Sequence, residues 1–396
     1  MNFVFISPQF PDTYWHFCDA LKRNGATVLG IGDTPYDGIS NELKSVLSEY
    51  YWVPSLEDYD QVFRAVAYFS WKYGKIDWLE SNNEYWLAQD ARLRDDFHIV
   101  SGASSEQVSR WQSKAEMKPL YAAGNVPTAR QVRVTTLRSA QAFARKVGYP
   151  LFVKPEKGVG SGGAAKIADA DELKAFFAQG LDEPYVMEEY ITGDICSYEA
   201  ILDSKGNPLF ENQSEFPPSM SEVVEKQLDV AYHACPSVDP KLQALGRAAA
   251  KGFGLTSRFV HMEFFRLTQD KPGLGGVGDY VGLEVNVRPP GGYTPDMINF
   301  AHSVDTYQIW ADMVCFDERR VPESDKTYFA CYAGRRDCHQ YVHSEAEIFE
   351  RYGAVMAMTG RIPDVLSDDL CNQMYVALLD TEEEREEYER FVLEQR

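Results

Sequence analysis

Acidic, amide and basic side chains between residues 263 and 288 have the composition of a metal and phosphate site. Glu284, Asn286 and Arg288 alternate with apolar residues, so on a strand their side chains point to one face. Glu263 precedes them in a second apolar segment. Mg²⁺ takes carboxylate and amide oxygens as ligands, and a guanidinium holds a phosphate or carboxylate through paired hydrogen bonds. These residues predict a site for Mg²⁺ or Mn²⁺ with an arginine beside it; the alternative is a solvent-facing hairpin.

Residues 154–163 form a second segment with chemical character, Lys-Pro-Glu-Lys-Gly-Val-Gly-Ser-Gly-Gly. Gly158, Gly160 and Gly163 match G-x-G-x-x-G, a pattern also found in dinucleotide-binding turns. A dinucleotide turn opens a helix, whereas this segment is followed by residues typical of a strand. Glycines let backbone N–H groups approach phosphate oxygens, and Lys154 adds a positive charge. The pattern therefore favours a flap that covers phosphates; a surface hairpin and an oxidoreductase that binds NAD are the alternatives.

Three segments occur in the order in which the ATP-grasp superfamily carries its motifs. They are Val153-Lys154-Pro155 with the glycine flap, Glu188-Glu189-Tyr190-Ile191 with Gly193, and Glu263 followed by Glu284 to Pro289. The chain therefore resembles the carboxylate–amine and carboxylate–thiol ligases of that superfamily, in particular L-amino acid ligases and proteins similar to carbamoyl-phosphate synthase. The resemblance extends over roughly residues 1–310. It implies an ATP-dependent ligase with ATP and Mg²⁺ as cofactors.

The resemblance implies a role for each matching residue. Lys114 and Lys154 reach the phosphates of ATP, and Glu188 accepts a hydrogen bond from the adenine amino group. Arg288 steadies the acyl phosphate, so Arg288 and Lys154 are the expected catalytic residues. The expected metal ligands are Glu263, Glu284 and Asn286. The expected nucleotide-binding residues are Lys114, Lys154, Lys157, Gly158, Gly160, Ser161, Gly162, Gly163, Glu188, Glu189, Tyr190, Ile191 and Asp194. The last of these is included because Ile195 stands where many members hold the ribose with an acid.

The elements that must position these residues predict an α/β protein. An apolar strand from Asn2 to Ile6, a helix from Tyr14 to Asn24 and a strand from Thr27 to Ile31 open the chain, and this order predicts a parallel sheet. From Leu151 the pattern turns β-rich, and a late strand is predicted from Thr327 to Tyr332. With the resemblance, the expected architecture is a parallel α/β domain followed by a two-lobed ATP-grasp fold. The expected domains are 1–105, an N-terminal pre-ATP-grasp domain; 106–310, the ATP-grasp domain, with a nucleotide lobe at about 115–188 and a metal-binding lobe from 189; and 311–396, a C-terminal α+β part.

Composition narrows the classes of partner. The chain is 44% hydrophobic and 25% charged, which is ordinary for a globular protein. Its formal net charge of −21 repels nucleic acid and anionic lipid. The seven cysteines form no C-x-x-C pair, so we expect neither a zinc site nor a disulfide framework. The N-terminus does not resemble a signal peptide and no apolar run reaches 18 residues, so we expect a cytoplasmic protein.

The expected reaction has two steps. A substrate carboxylate attacks the γ-phosphate of ATP to give an acyl phosphate and ADP, and an amine then displaces phosphate to form an amide. The expected partners are small-molecule carboxylate and amine substrates such as amino acids, and the resemblance implies a homodimer. The alternatives are a small-molecule kinase on the same fold, a catalytically silent ATP-binding regulatory module and a biotin-dependent carboxylase. His261, two residues before Glu263, is expected to be a core histidine or a substrate contact.

Overall fold

A computed structural model of the chain describes residues 1–157, 163–181, 183–217, 223 and 226–396. Gly158, Gly160, Ser161 and Gly162 of the predicted flap lie outside these ranges, and their phosphate contacts stay a prediction. The described helices are α1 (Trp15–Arg23), α2 (Asn41–Val46), α3 (Tyr59–Tyr73), α4 (Leu87–Asp96), α5 (Ser105–Trp111), α6 (Lys114–Ala123), α7 (Leu137–Val147), α8 (Ala170–Ala178), α9 (Pro240–Phe253), α10 (Thr294–His302), α11 (Thr306–Phe316), α12 (Glu345–Tyr352), α13 (Ser367–Leu370) and α14 (Glu382–Leu393). The described strands are β1 (Asn2–Ile6), β2 (Thr27–Gly32), β3 (Glu49–Trp52), β4 (Trp78–Glu80), β5 (Gln131–Val134), β6 (Leu151–Pro155), β7 (Ala165–Ile167), β8 (Tyr185–Glu189), β9 (Gly193–Leu202), β10 (Pro208–Phe216), β11 (Val230–Ala234), β12 (Arg258–Leu267), β13 (Tyr280–Asn286), β14 (Phe329–Arg335), β15 (Met356–Arg361) and β16 (Gln373–Leu379).

The first sheet is parallel and has four strands in the order β3-β2-β1-β4. The predicted strand–helix–strand opening is confirmed, because β1 pairs with β2 in parallel register. β1 is apolar on both faces, as a strand covered on both sides requires. Phe3 and Phe5 lie in one core cluster with α1, and Val4 and Ile6 lie in another with α3. The loops after β1 and β4 therefore lie at the carboxyl edge of this sheet, where open α/β sheets bind ligands.

The second sheet is antiparallel and has four strands in the order β5-β8-β6-β7. Helices α7 and α8 contribute to its apolar core, which contains Phe143, Leu151, Leu173 and Met187. β6 and β7 are antiparallel neighbours, and the glycine segment joins them. A dinucleotide turn instead connects a strand to a helix. The NAD-binding alternative is therefore wrong for this segment.

The third sheet has eight strands in the order β13-β12-β9-β10-β11-β14-β16-β15, and all of its pairs are antiparallel. One face packs against α10 and α11 in a core that continues into the first sheet. The other face packs against α6 and α9. The late strand predicted from Thr327 to Tyr332 is present, but both of its predicted ends are wrong. The strand β14 runs from Phe329 to Arg335 and pairs with β16 over that length. Among the described helices, none combines the length and the apolarity needed to cross a bilayer.

Helices α6 and α9 approach each other closely at glycines. A Cβ atom at Gly252 would overlap the carbonyl oxygen of Leu120 and would lie 2.7 Å from the backbone nitrogen of Gly124. We expect Gly252→Ala to lower the free energy of unfolding by about 1–3 kcal/mol, although alanine is the better helix former, because backbone atoms on α6 must move. Thermal or urea unfolding measures the change. The neighbouring exposed Lys251→Ala is the control, and an equal or higher stability of Gly252→Ala would show that the contact is looser than described.

Candidate nucleotide and metal site

Helix α6 presents two lysines on one face. Lys114 opens the helix and Lys118 follows it by four residues, the spacing of neighbours on a helical surface. Ser113 caps the helix by accepting a hydrogen bond from the backbone N–H of Glu116, and its hydroxyl donates to Glu156 at 2.7 Å. The serine thus anchors the start of α6 to the end of β6. Sequence reasoning missed Lys118, although its spacing from Lys114 was a usable signal.

Glu188 on β8 lies between two lysines. Its two carboxylate oxygens are 2.7 Å from the Nζ atom of Lys118 and 3.0 Å from that of Lys154, and Gln131 donates to it at 2.9 Å. Burial would raise the pKa of Glu188, but the charges of Lys154 and Lys118 lower it to about 2. Burial opposes the charge on Lys154 as well, yet Glu188 and Glu284 raise its pKa above the ordinary value. Glu188 and Lys154 are therefore both ionised at neutral pH, whereas burial lowers the pKa of Lys118.

The predicted metal ligands meet on neighbouring strands. Glu263 on β12 stands directly opposite Glu284 on β13, and His261 stands opposite Asn286. A register shift at this point leaves an extra residue in β13, which is the irregularity of a β-bulge. Burial raises the pKa of Glu284, with Glu263 adding to the shift and the nearby lysines opposing it. Lys114 at the start of α6 lies 3.5 Å from Glu284, and the charge of Glu284 also acts on Lys154 of β6, so the second and third sheets meet at a cleft beside these residues.

These residues fit a divalent cation that arrives with phosphate. Two carboxylates and an amide lie on one face, and the carboxylate side chains are 30% and 24% exposed, so they are accessible from the cleft. Among the described residues no group of three or more His, Cys, Asp and Glu side chains is arranged to hold a metal. Mg²⁺ commonly takes one or two carboxylates and completes its shell with water and phosphate oxygens. The ligand set therefore suits a metal–nucleotide complex better than an all-protein cage.

Arg288 follows β13 and turns toward the first sheet. Its Nε atom lies 3.5 Å from Oε2 of Glu84, and Nη1 donates to the carbonyl oxygen of Pro289 at 2.8 Å. Glu84 comes from the segment after β4, at the carboxyl edge of the parallel sheet. The charge of Arg288 also opposes the effect of burial, which raises the pKa of Tyr14 to about 12. Sequence reasoning missed Glu84, although its place after a parallel strand was a signal.

Other predicted nucleotide contacts lie apart from this cluster. Glu189 occupies the opposite face of β8, where Arg130 donates to it through its backbone and its guanidinium. Asp194 is half exposed and lies 3.6 Å from Arg266. The side chains of these two acids are thus held by arginines rather than by the lysine cluster. Tyr190 and Ile191 lie with Thr192 in the short link between β8 and β9, and their contact with the nucleotide stays a prediction. Lys157, the last described residue before the glycine segment, is exposed. Gly163, the first described residue after it, has a φ of 75°.

His261 lies between two carboxylates. Its Nδ1 atom is 2.8 Å from Glu199, and its Nε2 atom is 3.4 Å from Glu263. Burial lowers the pKa of His261, but the hydrogen bonds to Glu199 and Glu263 outweigh it and raise the pKa to about 9. The residue is buried, as a core histidine would be, yet its polar contacts lead to the predicted metal ligand.

The sequence of the chain is similar to those of known ATP-dependent enzymes. Residues 112–221 match the family model described as carbamoyl-phosphate synthase L chain, ATP binding domain. Over 315 residues the chain is 22% identical to alanine–anticapsin ligase of Bacillus subtilis; the match covers 73% of this chain and 63% of that protein's length. The chain thus spans less than two thirds of that relative.

Solved structures resemble nearly the whole chain. L-amino acid ligase from Bacillus licheniformis superposes with a TM-score of 0.71 and 16% identity, over 98% of this chain and 96% of the other. The biotin carboxylase domain of 2-oxoglutarate carboxylase from Hydrogenobacter thermophilus, solved as a dimer with MgADP and bicarbonate, gives 0.65 and 15% over 95% and 86%. The resemblance predicted from the motifs is confirmed: the chain has the ATP-grasp fold of these ligases.

Proposed function

We propose that the chain binds Mg²⁺-ATP in the cleft between the second and third sheets and couples a carboxylate to an amine. The observation that carries this proposal is the meeting of lysines from one side with paired carboxylates from the other. Lys114 lies 3.5 Å from Glu284, and the charges of Glu284 and Glu263 on the third sheet raise the pKa of Lys154 on the second. Lysines neutralise phosphate charge, and the carboxylates hold the cation. Phosphate neutralisation by the lysines and cation binding by the carboxylates therefore need both sides of the cleft.

In this proposal, different residues of the cleft bind the adenine, the phosphates and the metal. Glu188 and the β8–β9 link at Tyr190 and Ile191 hold the adenine, while Lys114 and Lys154 hold the phosphates. Lys118, which shares Glu188 with Lys154, joins this set as an addition to the predicted residues. Glu263, Glu284 and Asn286 hold Mg²⁺ together with phosphate oxygens. The bound metal supplies charge neutralisation at the transferring phosphate.

The reaction follows from this placement. An oxygen of the substrate carboxylate attacks the γ-phosphorus, the bond to the β,γ-bridging oxygen breaks, and ADP leaves. The amine nitrogen then attacks the acyl carbon, the carbon–oxygen bond to phosphate breaks, and the nitrogen loses a proton. Arg288 faces this centre from the end of β13, and its fork suits the carboxylate before transfer and the acyl phosphate after it.

The start of α10, which follows Arg288 in the chain, supports an amino acid as a substrate. The carboxylate of Asp296 is largely buried, with the Tyr307 hydroxyl as its neighbour, and the amide nitrogen of Asn82 is buried without a hydrogen-bond partner among the residues the structure describes. Tyr14 joins this region to the first sheet by donating to the backbone oxygen of Asn82 at 2.7 Å. Burial raises the pKa of Asp296 to about 7. An ammonium group at Asp296 and a carboxylate at Arg288 are the complementary charges of an amino acid.

The test is ADP and phosphate release from Mg²⁺-ATP across a grid of carboxylic acids and amines. One acid–amine pair should stimulate ADP formation well above the rate with either substrate alone, and Lys154→Ala should abolish the stimulation. Mass spectrometry should find the amide. Accumulation of a stable phosphorylated product without amine would favour the kinase alternative. ATP binding without stimulation by any pair would favour the regulatory module.

A further inference from the structure

Two rows of polar side chains cross four neighbouring strands of the third sheet. In each row the residues stand directly opposite one another on β13, β12, β9 and β10. The first row is Glu284, Glu263, Ser197 and Ser214, and the second is Asn286, His261, Glu199 and Asn212. The next positions along the strands are the apolar, buried Phe259, Ile201 and Phe210. The metal ligands are therefore one end of a polar band that continues into the core.

Glu199 is the centre of this band and is fully buried. One of its oxygens accepts from Ser197 and lies 2.8 Å from Nδ1 of His261. The other accepts from Asn212 at 2.6 Å and from Ser214 at 3.3 Å. A buried carboxylate is costly unless its oxygens are hydrogen-bonded, and here both are. Glu199 is thus held rigidly without contacting the cleft itself.

Asn212 extends the support to a helix. Its amide oxygen lies 2.8 Å from Nε2 of His302, the last residue of α10. Three strands, β9, β10 and β12, and one helix therefore determine where the Glu199 carboxylate sits. Fixed groups of this kind orient a ligand more sharply than a mobile side chain could, because the entropy of ordering has already been lost in folding.

His261 connects the fixed carboxylate of Glu199 to Glu263 at the cleft. With Nδ1 facing Glu199, the ring must point Nε2 at Glu263, 3.4 Å away. A carboxylate only accepts hydrogen bonds, so the ring nitrogen facing each acid is the donor. The partly exposed Glu263 side chain has this histidine as its neighbour on the core side. Loss of that contact would leave Glu263 free to adopt rotamers in which it no longer faces Glu284.

We propose that Glu199 is a positioning residue that acts through His261 to hold Glu263 in the orientation required for metal binding. This inference rests on the metal assignment in the proposed function. Outer groups that orient a metal ligand typically contribute 10–100-fold to metal affinity. The reach of the Glu199 side chain matters for this role, because the hydrogen bond to Nδ1 fixes the ring.

Two conservative substitutions distinguish the effect of the length of the Glu199 side chain from the effect of its charge. Glu199→Gln keeps the length of the side chain, and its amide can still bond to Nδ1 of His261. Glu199→Asp keeps the charge but withdraws the carboxylate by one methylene. Electron paramagnetic resonance of Mn²⁺ in the presence of ADP measures metal affinity without turnover. We expect Glu199→Asp to weaken Mn²⁺ binding about 10-fold or more and Glu199→Gln to stay within about threefold of the wild type.

Three further measurements make the test specific. ADP affinity without metal should be unchanged in both variants, which also shows that the nucleotide site is folded. Glu211→Asp is the matched control, since Glu211 lies on β10 next to Asn212 but bonds to Arg247 and Tyr198 on the other face. It should leave Mn²⁺ affinity unchanged. In a His261→Leu background, Glu199→Asp should cause no further loss, because the two residues act in series.

The outcomes distinguish this inference from the proposed function. Wild-type affinity for Mn²⁺ in Glu199→Asp would overturn the positioning role and leave the ligase proposal standing. So would a greater loss in Glu199→Gln than in Glu199→Asp, since it would indicate a purely electrostatic effect. Losses that multiply in the His261→Leu background would also overturn it. Failure of the wild-type chain to bind Mn²⁺ with ADP would overturn both.

Discussion

Glu284→Ala should reduce ATP turnover by about 10³-fold or more. Glu284 lies between Lys114 and the second carboxylate Glu263, so in the proposed function its loss removes a metal ligand next to the phosphate-binding lysines. Removing one preorganised charge-stabilising group commonly costs 10²–10³ in rate, and loss of the metal adds to this. Steady-state ADP release with a stimulating acid–amine pair measures the effect.

The matched control for this variant is Asp279→Ala. Asp279 immediately precedes β13, and its half-exposed side chain has Lys241 as its partner at 2.8 Å. Turnover should be unchanged in the control. Nucleotide affinity measured without metal should change little in Glu284→Ala, since the loss concerns the cation. Turnover within a few-fold of the wild type would show that Glu284 is not a metal ligand.

Glu188→Gln should destabilise the fold by about 3 kcal/mol at neutral pH. The substitution keeps the shape of the side chain but leaves Lys118 and Lys154 without their carboxylate in a buried setting. Removing one partner of a buried ion pair typically costs 3–5 kcal/mol. The lowering of the pKa of Glu188 from 4.5 to about 2 gives a similar magnitude, about 3 kcal/mol. Urea unfolding at pH 7 measures the difference.

The pH dependence of the same variant has a definite sign. A carboxyl with a lowered pKa in the folded state stabilises the fold above its unfolded pKa, and the contribution is lost as the pH falls through the folded value. The wild type should therefore lose this stability between about pH 4.5 and 2, while Glu188→Gln should lack that part of the acid dependence. Asp171→Asn, a change at an exposed acid, should match the wild type within about 0.5 kcal/mol. Parallel curves for Glu188→Gln and the wild type would contradict the buried ion pair.

Local patterns in the sequence carried much of the fold and the site. The apolar run at Asn2–Ile6 predicts β1 closely, because a strand that is buried on both faces has apolar residues at successive positions. Glu263, Glu284 and Asn286 were predictable from alternation on strands, and the structure places them on one face of adjacent strands. The order of the sheets was not readable in this way. The pairing of the C-terminal β14–β16 with β11 depends on contacts between distant segments.

The residues that sequence reasoning missed share one property. Glu84, Lys118 and Glu199 act through partners that only the fold brings together. Glu84 meets Arg288 from more than two hundred residues away in the sequence, and Glu199 meets His261 only because β9 pairs with β12 in one particular register. A shift of that register by one residue would place Glu199 opposite a residue of β12 whose side chain points to the other face.

The central claim is that a carboxylate is activated by phosphoryl transfer. The most direct measurement uses a stimulating acid labelled with ¹⁸O in its carboxylate and follows the released phosphate by mass spectrometry. Attack on the γ-phosphorus predicts that one ¹⁸O atom appears in phosphate for each amide formed, and that Arg288→Met and Glu284→Ala abolish the transfer. Unlabelled phosphate formed together with product would contradict the account, because the carboxylate oxygen would then never have been bonded to phosphorus.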